Sequence, residues 1–226
     1  MAAWRRRLIL GMAGIALVFA NVPVFAGDQA RSLFVGFSDD GKYCAVETVG
    51  VQDGSGFPYA TLFIIDVAAN DWATDPVSIV LKTTGAVPSS ALDAHDALWS
   101  SSKGALTRYG IDPSRAGRLI AASDPNRVEF KAGEDSYALV LTASPAKGST
   151  DDMPLALMEL QLLHGSDHRV LQKDASVPKS RGNAYAYRIS EVRLDGDNLA
   201  IIIDYDRTGF EGPDTRQIVV TTRLNP

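Results

Sequence analysis

A mainly β, antiparallel fold with a helical insertion, α+β in broad class, is what this sequence predicts, and three observations carry the prediction. Runs rich in β-branched and aromatic residues recur at Leu33 to Phe37, Tyr43 to Val49 and Ala60 to Val67, and such residues suit a pleated, half-buried surface. A tight-turn signal, Asp39-Asp40-Gly41, joins the first two runs. The hydrophobic period becomes helical over Ser89 to Ala122. An antiparallel meander or sandwich with a two-helix insertion at about 89–122 is therefore expected.

The first 26 residues stand apart from this pattern. Arg5, Arg6 and Arg7 precede an apolar stretch of thirteen residues, Leu8 to Ala20, and Val24-Phe25-Ala26 supplies small residues before a cleavage point. That is the form of a secretory signal peptide, and the stretch is short for a span, which needs about 20 residues. Cleavage after Ala26 leaves Gly27 to Pro226 as a single β-rich domain that meets the membrane only through the uncleaved signal peptide. Losing three arginines takes the formal charge from -5 to -5 - 3 = -8. An acidic chain repels phosphate backbones and anionic headgroups, so nucleic acid is not expected as a partner, and cations fit better. Cys44 is the only cysteine, which precludes an intrachain disulfide. It reads as a small buried hydrophobe, with a reactive or dimer-forming thiol as the alternative.

Beyond the first meander the hairpin pattern returns. Asp40-Gly41 leads into Tyr43 to Val49, a loop containing Gly56-Phe57, and Leu62 to Val67. Asp195-Gly196 leads likewise into Leu199 to Ile203, a loop containing Gly209-Phe210, and Gln217 to Thr222. A looser copy runs from Gly133-Glu134-Asp135 through Tyr137 to Leu141, then Ser144 to Pro154 and Leu155 to Leu163. Either the repeat is structural or short β patterns have coincided. The segment Phe37-Ser38-Asp39-Asp40-Gly41-Lys42-Tyr43 and the strand Leu62-Phe63-Ile64-Ile65-Asp66-Val67 resemble the repeat of TolB-type β-propellers, which implies propeller-like hairpins. The chain is too short for six or seven blades of about 40 residues, so the resemblance is local.

In the insertion, Leu92, Leu98, Leu106 and Tyr109 fall at helical spacing between capping serines and Gly110. A second, shorter helix is predicted from Pro113 to Ala122, with proline in its first turn. Both read as packing against the sheet.

Chemistry-bearing motifs are sparse. His164 and His168 have the spacing of two metal ligands on a helix, but Gly165-Ser166-Asp167 between them reads as a hairpin turn. His95 falls in the helical stretch, where a surface or interhelical role is expected. No nucleophile elbow, phosphate-cradling loop or Cys/His cluster occurs, so no catalytic residue, metal site or cofactor is assigned. Interest falls on the loops. Loop one offers Gln52, Asp53, Ser55, Phe57 and Tyr59; loop three offers Asp204, Asp206, Phe210, Glu211 and Asp214. Such residues form a rim presenting aromatics and acids to a ligand or a hard cation. In the competing reading the phenylalanines plug their own loops and the acids cap turns.

The run FSDDGKYCAVETVGVQDGSGFPYATLFIIDV, with GFEGPDTR near the end and the N-terminal signal, resembles a family of predicted secreted bacterial proteins, domain of unknown function 2259. That resemblance implies an exported protein, periplasmic in a Gram-negative bacterium, and brings no activity with it. The function expected is a non-catalytic binding or interaction module using the hairpin-loop rim, its partner an unidentified ligand or envelope protein. The alternatives are an envelope-component hydrolase using loop carboxylates and a structural accessory protein.

Overall fold

The computed structural model describes residues 28, 30–82, 89–122, 124–210 and 212–225. Three antiparallel sheets, one α-helix and a single 3-10 turn at Lys179–Arg181 are the regular elements among them. The first sheet is a meander of β1 (Arg31–Phe37), β2 (Tyr43–Val51) and β3 (Pro58–Asp66), and the short strands β4 (Asp71–Trp72) and β5 (Val77–Val80) both pair with β3. After helix α1 (Ala91–Arg108) comes β6 (Arg118–Ile120). The second sheet is a meander of β7 (Arg127–Ala132), β8 (Asp135–Pro145), β9 (Ala156–His164) and β10 (Asp167–Lys173). The third has the order β13-β12-β11-β6, built from β11 (Ala184–Asp195), β12 (Asn198–Thr208) and β13 (Pro213–Arg223). The described hairpins close into neither a propeller nor a barrel.

Side-chain alternation explains why β2 and β3 read as nearly unbroken apolar runs. Ala45, Ala60, Leu62 and Ile64 pack against Ala94, Leu98 and Leu106 of α1, while Cys44 and Ile65, on the opposite face, meet Ala200 and Val219 of the third sheet. Both faces are thus covered, as in few antiparallel sheets. On the far side of the third sheet Leu199, Ile201 and Ile203 pack with Leu139, Leu160 and Leu162 of the second. Cys44 is the expected buried hydrophobe, and desolvation pushes its thiol up to about 12.

Helix α1 starts where the serines predict. The Ser90 hydroxyl accepts from the Asp93 N–H at 3.2 Å, and the Asp93 carboxylate accepts from the Ser90 N–H at 2.6 Å, a reciprocal capping box. Ala94, Leu98, Ser102 and Leu106 form its buried stripe, whereas Leu92 is exposed.

The second predicted helix, Pro113 to Ala122, is absent. Asp112 accepts from the Ser114 N–H at 2.8 Å to make a turn, and β6 then pairs with Val192, Arg193 and Leu194. Gly117 lies between them at φ 65°, so close to β11 that a Cβ would sit 2.9 Å from the Leu194 carbonyl oxygen. A strand partner 72 to 76 residues away, reached through a left-handed glycine, overrides local helical spacing.

His164 and His168 flank the β9–β10 hairpin, with His164 opposite Asp167 and His168 opposite Leu163. No helix among the described residues is long and apolar enough to cross a membrane.

Candidate functional site

Loop one is a six-residue connection, Gln52 to Phe57, since β2 and β3 run further than their sequence pattern shows. The Gln52 N–H donates to the Phe57 carbonyl at 2.9 Å and the Gly56 N–H to the Gln52 carbonyl at 3.0 Å. Gly54 and Gly56 take positive φ, 76° and 66°, which lets so short a loop turn twice. The Ser55 hydroxyl donates to Gln52 Oε1 at 2.9 Å. Across from it, the Phe210 N–H in the β12–β13 turn donates to Asp53 Oδ2 at 2.9 Å. Loops one and three, 157 residues apart, are thereby tied together.

Between them opens a cleft of about 410 Å³. Its walls are Gln52, Asp53, Tyr59 and Phe63 from the first sheet and Tyr205, Arg207, Asp214, Arg216 and Gln217 from the third, with Asp28 and Ala30 at one side. Register explains the grouping on the third sheet, where Arg207 lies opposite Asp214 and Tyr205 opposite Arg216.

The N-terminal segment is fastened into this wall. The Thr215 N–H donates to the Asp28 carbonyl at 2.9 Å and the Ala30 N–H to the Thr215 carbonyl at 3.3 Å, extending the ladder beyond β13. The Asp28 N–H donates to Asp214 Oδ1 at 2.9 Å. Arg216 Nη2 reaches Asp28 Oδ2 at 2.7 Å and Asp214 Oδ2 at 3.3 Å, and Arg207 donates to that Asp214 oxygen from Nε and Nη2 at 3.1 and 3.0 Å. The Tyr59 hydroxyl donates to Asp28 Oδ1 at 3.3 Å. Gly50, opposite Tyr59 on β2, makes room for this contact, because a Cβ there would lie 2.9 Å from the Tyr59 hydroxyl and 3.0 Å from Asp28 Oδ1.

Burial dominates the electrostatics. Desolvation raises the Asp28 carboxyl above its ordinary value, with Arg216 the chief opposing influence. Burial likewise pushes the Tyr59 hydroxyl up to about 12. Two acceptors in the cleft wall, Asp53 Oδ1 and Gln217 Oε1, are buried without a hydrogen-bond partner, although Gln217 Nε2 donates to the Ala30 carbonyl at 2.8 Å.

Of the residues expected at a rim, Gln52, Asp53, Tyr59 and Asp214 line the cleft. Ser55 and Phe57 belong to loop one but do not line it, and Phe57 is half-buried. Phe210 is 89% exposed, so it is not a plug. Asp204 and Asp206 lie within β12 and not in a loop: Asp204 accepts from the Ser190 hydroxyl at 3.0 Å, and Asp206 from Arg188 Nη1 at 3.1 Å and Thr215 Oγ1 at 3.0 Å. Glu211 lies outside the described residues. Asp28, Arg207, Arg216 and Gln217 are absent from the sequence-based candidates; the arginines close to acids along Asp204 to Arg207 and Asp214 to Arg216 hint at Arg207 and Arg216, and no local pattern marks Asp28 or Gln217.

A second polar constellation sits elsewhere. Glu47, fully buried on the α1 side of β2, accepts from His95 Nδ1 and Trp99 Nε1, each at 2.9 Å. His95 therefore joins helix to sheet instead of serving at the surface or between helices. Among the described residues, no group of three or more His, Cys, Asp or Glu is placed to hold a metal ion.

No curated protein and no solved structure matches this chain. The model of one family, described as "Predicted secreted protein (DUF2259)", matches residues 45–223, which spans β2 to β13 and all of the cleft except its Asp28 and Ala30 side. With that length matched, the chain belongs to the DUF2259 family of predicted secreted proteins, whose function is unknown.

Proposed function

We propose that this secreted protein is a non-catalytic binding module, periplasmic in a Gram-negative cell, that holds a small ligand in the cleft between loop one and the β12–β13 hairpin. One observation carries the reading: Asp53 Oδ1 and Gln217 Oε1 are buried acceptors in the cleft wall with no partner. Leaving a buried polar group unsatisfied costs about 1–3 kcal/mol, and a ligand that donates to both oxygens offsets that cost. The cleft volume, about 410 Å³, is in the range of small-molecule sites. Asp28 and Asp214, by contrast, are committed to Arg216 and Arg207. Their pairing builds the wall and leaves the open valences to loop one and Gln217.

The test is a thermal-shift screen of the exported protein against small fragments with acidic, neutral and basic heads, run beside Asp53→Asn and Gln217→Met. A ligand at a hundredfold excess over its Kd stabilises by about 2.7 kcal/mol, which raises Tm by roughly 5–10 °C for a chain of this size. Hits that both variants weaken support the cleft. A blank screen, or hits indifferent to both variants, refutes it.

A further inference from the structure

We infer that the outer edge of β13 at Gln217 and Val219 takes an extended peptide of a partner protein as an added strand, with apolar side chains in a trough beside Trp72 and a lysine or arginine at Asp71. This surface goes beyond the cleft and needs no ligand in it.

The open edge follows from the register. β13 pairs with β12 without a bulge, so alternate residues turn their N–H and carbonyl groups toward β12 and the others turn them outward. The Leu224 N–H donates to the Asp197 carbonyl at 2.8 Å, which puts Leu224 and every second residue before it on the β12 side. Thr215, Gln217, Val219 and Thr221 therefore face outward. Both ends of that row are closed: Thr215 bonds to Asp28 and Ala30, and the Thr221 N–H donates to Asn70 Oδ1 at 2.7 Å. At Gln217 the side chain, not the main chain, meets the N-terminal segment, with Nε2 donating to the Ala30 carbonyl at 2.8 Å. The main-chain N–H and carbonyl groups of Gln217 and Val219 are left without a partner among the described residues. Such a row is a template for another strand. Antiparallel entry satisfies both residues within a short segment, residue opposite residue, whereas parallel entry needs a longer one that runs into the closed ends.

The peptide's chemistry follows from what adjoins the edge. A trough of about 190 Å³ lies there, lined by Phe63, Ile65 and Trp72 on one side and by Gln217, Ile218 and Val219 on the other. Trp72 is opposite Ile65 in register, so both share one face of the first sheet. Its ring is 5.9 Å from that of Phe63, yet the residue is 59% exposed, a large aromatic surface left uncovered beside the open edge. Val219 packs toward Phe63 and Ile65, and residues paired with Gln217 and Val219 point their side chains the same way. Apolar residues at those two places cover the trough. Asp71 is the only ionisable residue lining it; its carboxylate accepts from the adjacent Trp72 N–H at 2.8 Å and meets no cation among the described residues. A basic residue of the peptide complements it. A second copy of the chain is the poorer occupant, because pairing two β13 edges about Ile218 sets Thr215 of one opposite Thr221 of the other. The Asp28–Ala30 segment and the Asn70 side chain would then contend for one space.

The probes are blocked hexapeptides of the order threonine, lysine, X, threonine, X, threonine, with X valine, leucine or phenylalanine, and the same peptides N-methylated at both X. Titrated calorimetrically into the exported protein, at least one is expected to bind saturably, and N-methylation, which removes the ladder donors and keeps the side chains, should weaken it by about tenfold or more. Val219→Pro should do the same, since it deletes an outward N–H and leaves the β12 ladder whole; if that variant fails to fold, the N-methylated peptides carry the comparison. Asp71→Asn should cost about threefold. Amide exchange at Gln217 and Val219, fast in the free protein, should slow by about tenfold or more with peptide bound. Failure of all three peptides, undiminished binding after N-methylation, or unchanged exchange at Gln217 and Val219 overturns the proposal. Protection of those amides in the free protein, with a dimer in sedimentation, assigns the edge to a second copy and overturns it as well.

Discussion

Replacing Arg216 with methionine keeps most of the stem and removes the guanidinium that joins Asp28 to Asp214. Asp28 and Asp214 have side chains 1% and 5% exposed, and Arg216 itself is 20% exposed. Breaking a buried ion pair by deleting one partner costs about 3–5 kcal/mol. Asp214 retains Arg207, which puts the expected loss near the lower end, about 3 kcal/mol at pH 7, or roughly 6–12 °C in Tm. The loss must also depend on pH, with a definite sign. Burial already raises the folded Asp28 carboxyl above 3.8, and Arg216 is the largest influence lowering it, so the substitution raises it further. A carboxyl whose folded pKa lies above its unfolded value binds more protons in the native state. Stability then falls as pH rises through that window and is recovered as pH falls toward 3.8. Urea unfolding at pH 7 and near pH 4 should therefore show a deficit for Arg216→Met that shrinks on acidification. A deficit under 1 kcal/mol at pH 7, or one that is equal at both pH values, would refute the assignment of Arg216 as the counter-charge of a buried Asp28.

Two further expectations concern the core. Glu47→Leu strands the His95 and Trp99 ring N–H donors and should cost about 3 kcal/mol, whereas Glu47→Gln keeps an acceptor and should cost about 1 kcal/mol; equal effects in urea unfolding would show that the carboxylate does not pin α1. The Cys44 thiol, held at about 12 against an ordinary 9.0, should react with a disulfide reagent at pH 8 at least about a thousandfold more slowly in the folded than in the unfolded protein, and rapid labelling under native conditions would contradict its burial. Because that pKa is raised, its contribution to stability is intact below pH 9.0 and fades between 9.0 and 12. Cys44→Ala should blunt that alkaline loss, and an unchanged alkaline profile would count against it.

The strands of the first meander were legible because both their faces are covered, so apolar residues fill nearly every position from Tyr43 to Val46 and from Leu62 to Ile65. The helix was legible through its capping serines. Loop one was legible as an unusual connection: three of its five candidates, Gln52, Asp53 and Tyr59, line the cleft, and the other two, Ser55 and Phe57, belong to the loop that frames it. The third-sheet contribution was harder to read. Asp204 and Asp206 alternate with Tyr205 and Arg207 along a strand that reaches Thr208, and a polar strand end near a glycine turn has the composition of a loop. Asp28 and Arg216 are 188 residues apart, and no local pattern pairs a residue near the start of the described chain with one near its end. Pro113 to Ala122 failed for the same reason, since its strand pairing lies on β11. Glu47 did leave a mark in the sequence, as one acid interrupting the run Tyr43 to Val49. An isolated acid on the covered face of a strand needs donors from the element packed on it, and His95 and Trp99 on α1 supply them.

The central claim, that the cleft joining loop one to the third sheet binds a ligand, is tested most directly by a backbone amide NMR titration of the exported protein with a fragment that raises its Tm in the thermal-shift screen. The account predicts saturable shifts concentrated at Gln52, Asp53, Tyr59, Phe210 and Gln217, and weakened in Asp53→Asn. Saturable shifts confined to another surface, or the same shifts persisting undiminished in Asp53→Asn, would contradict it.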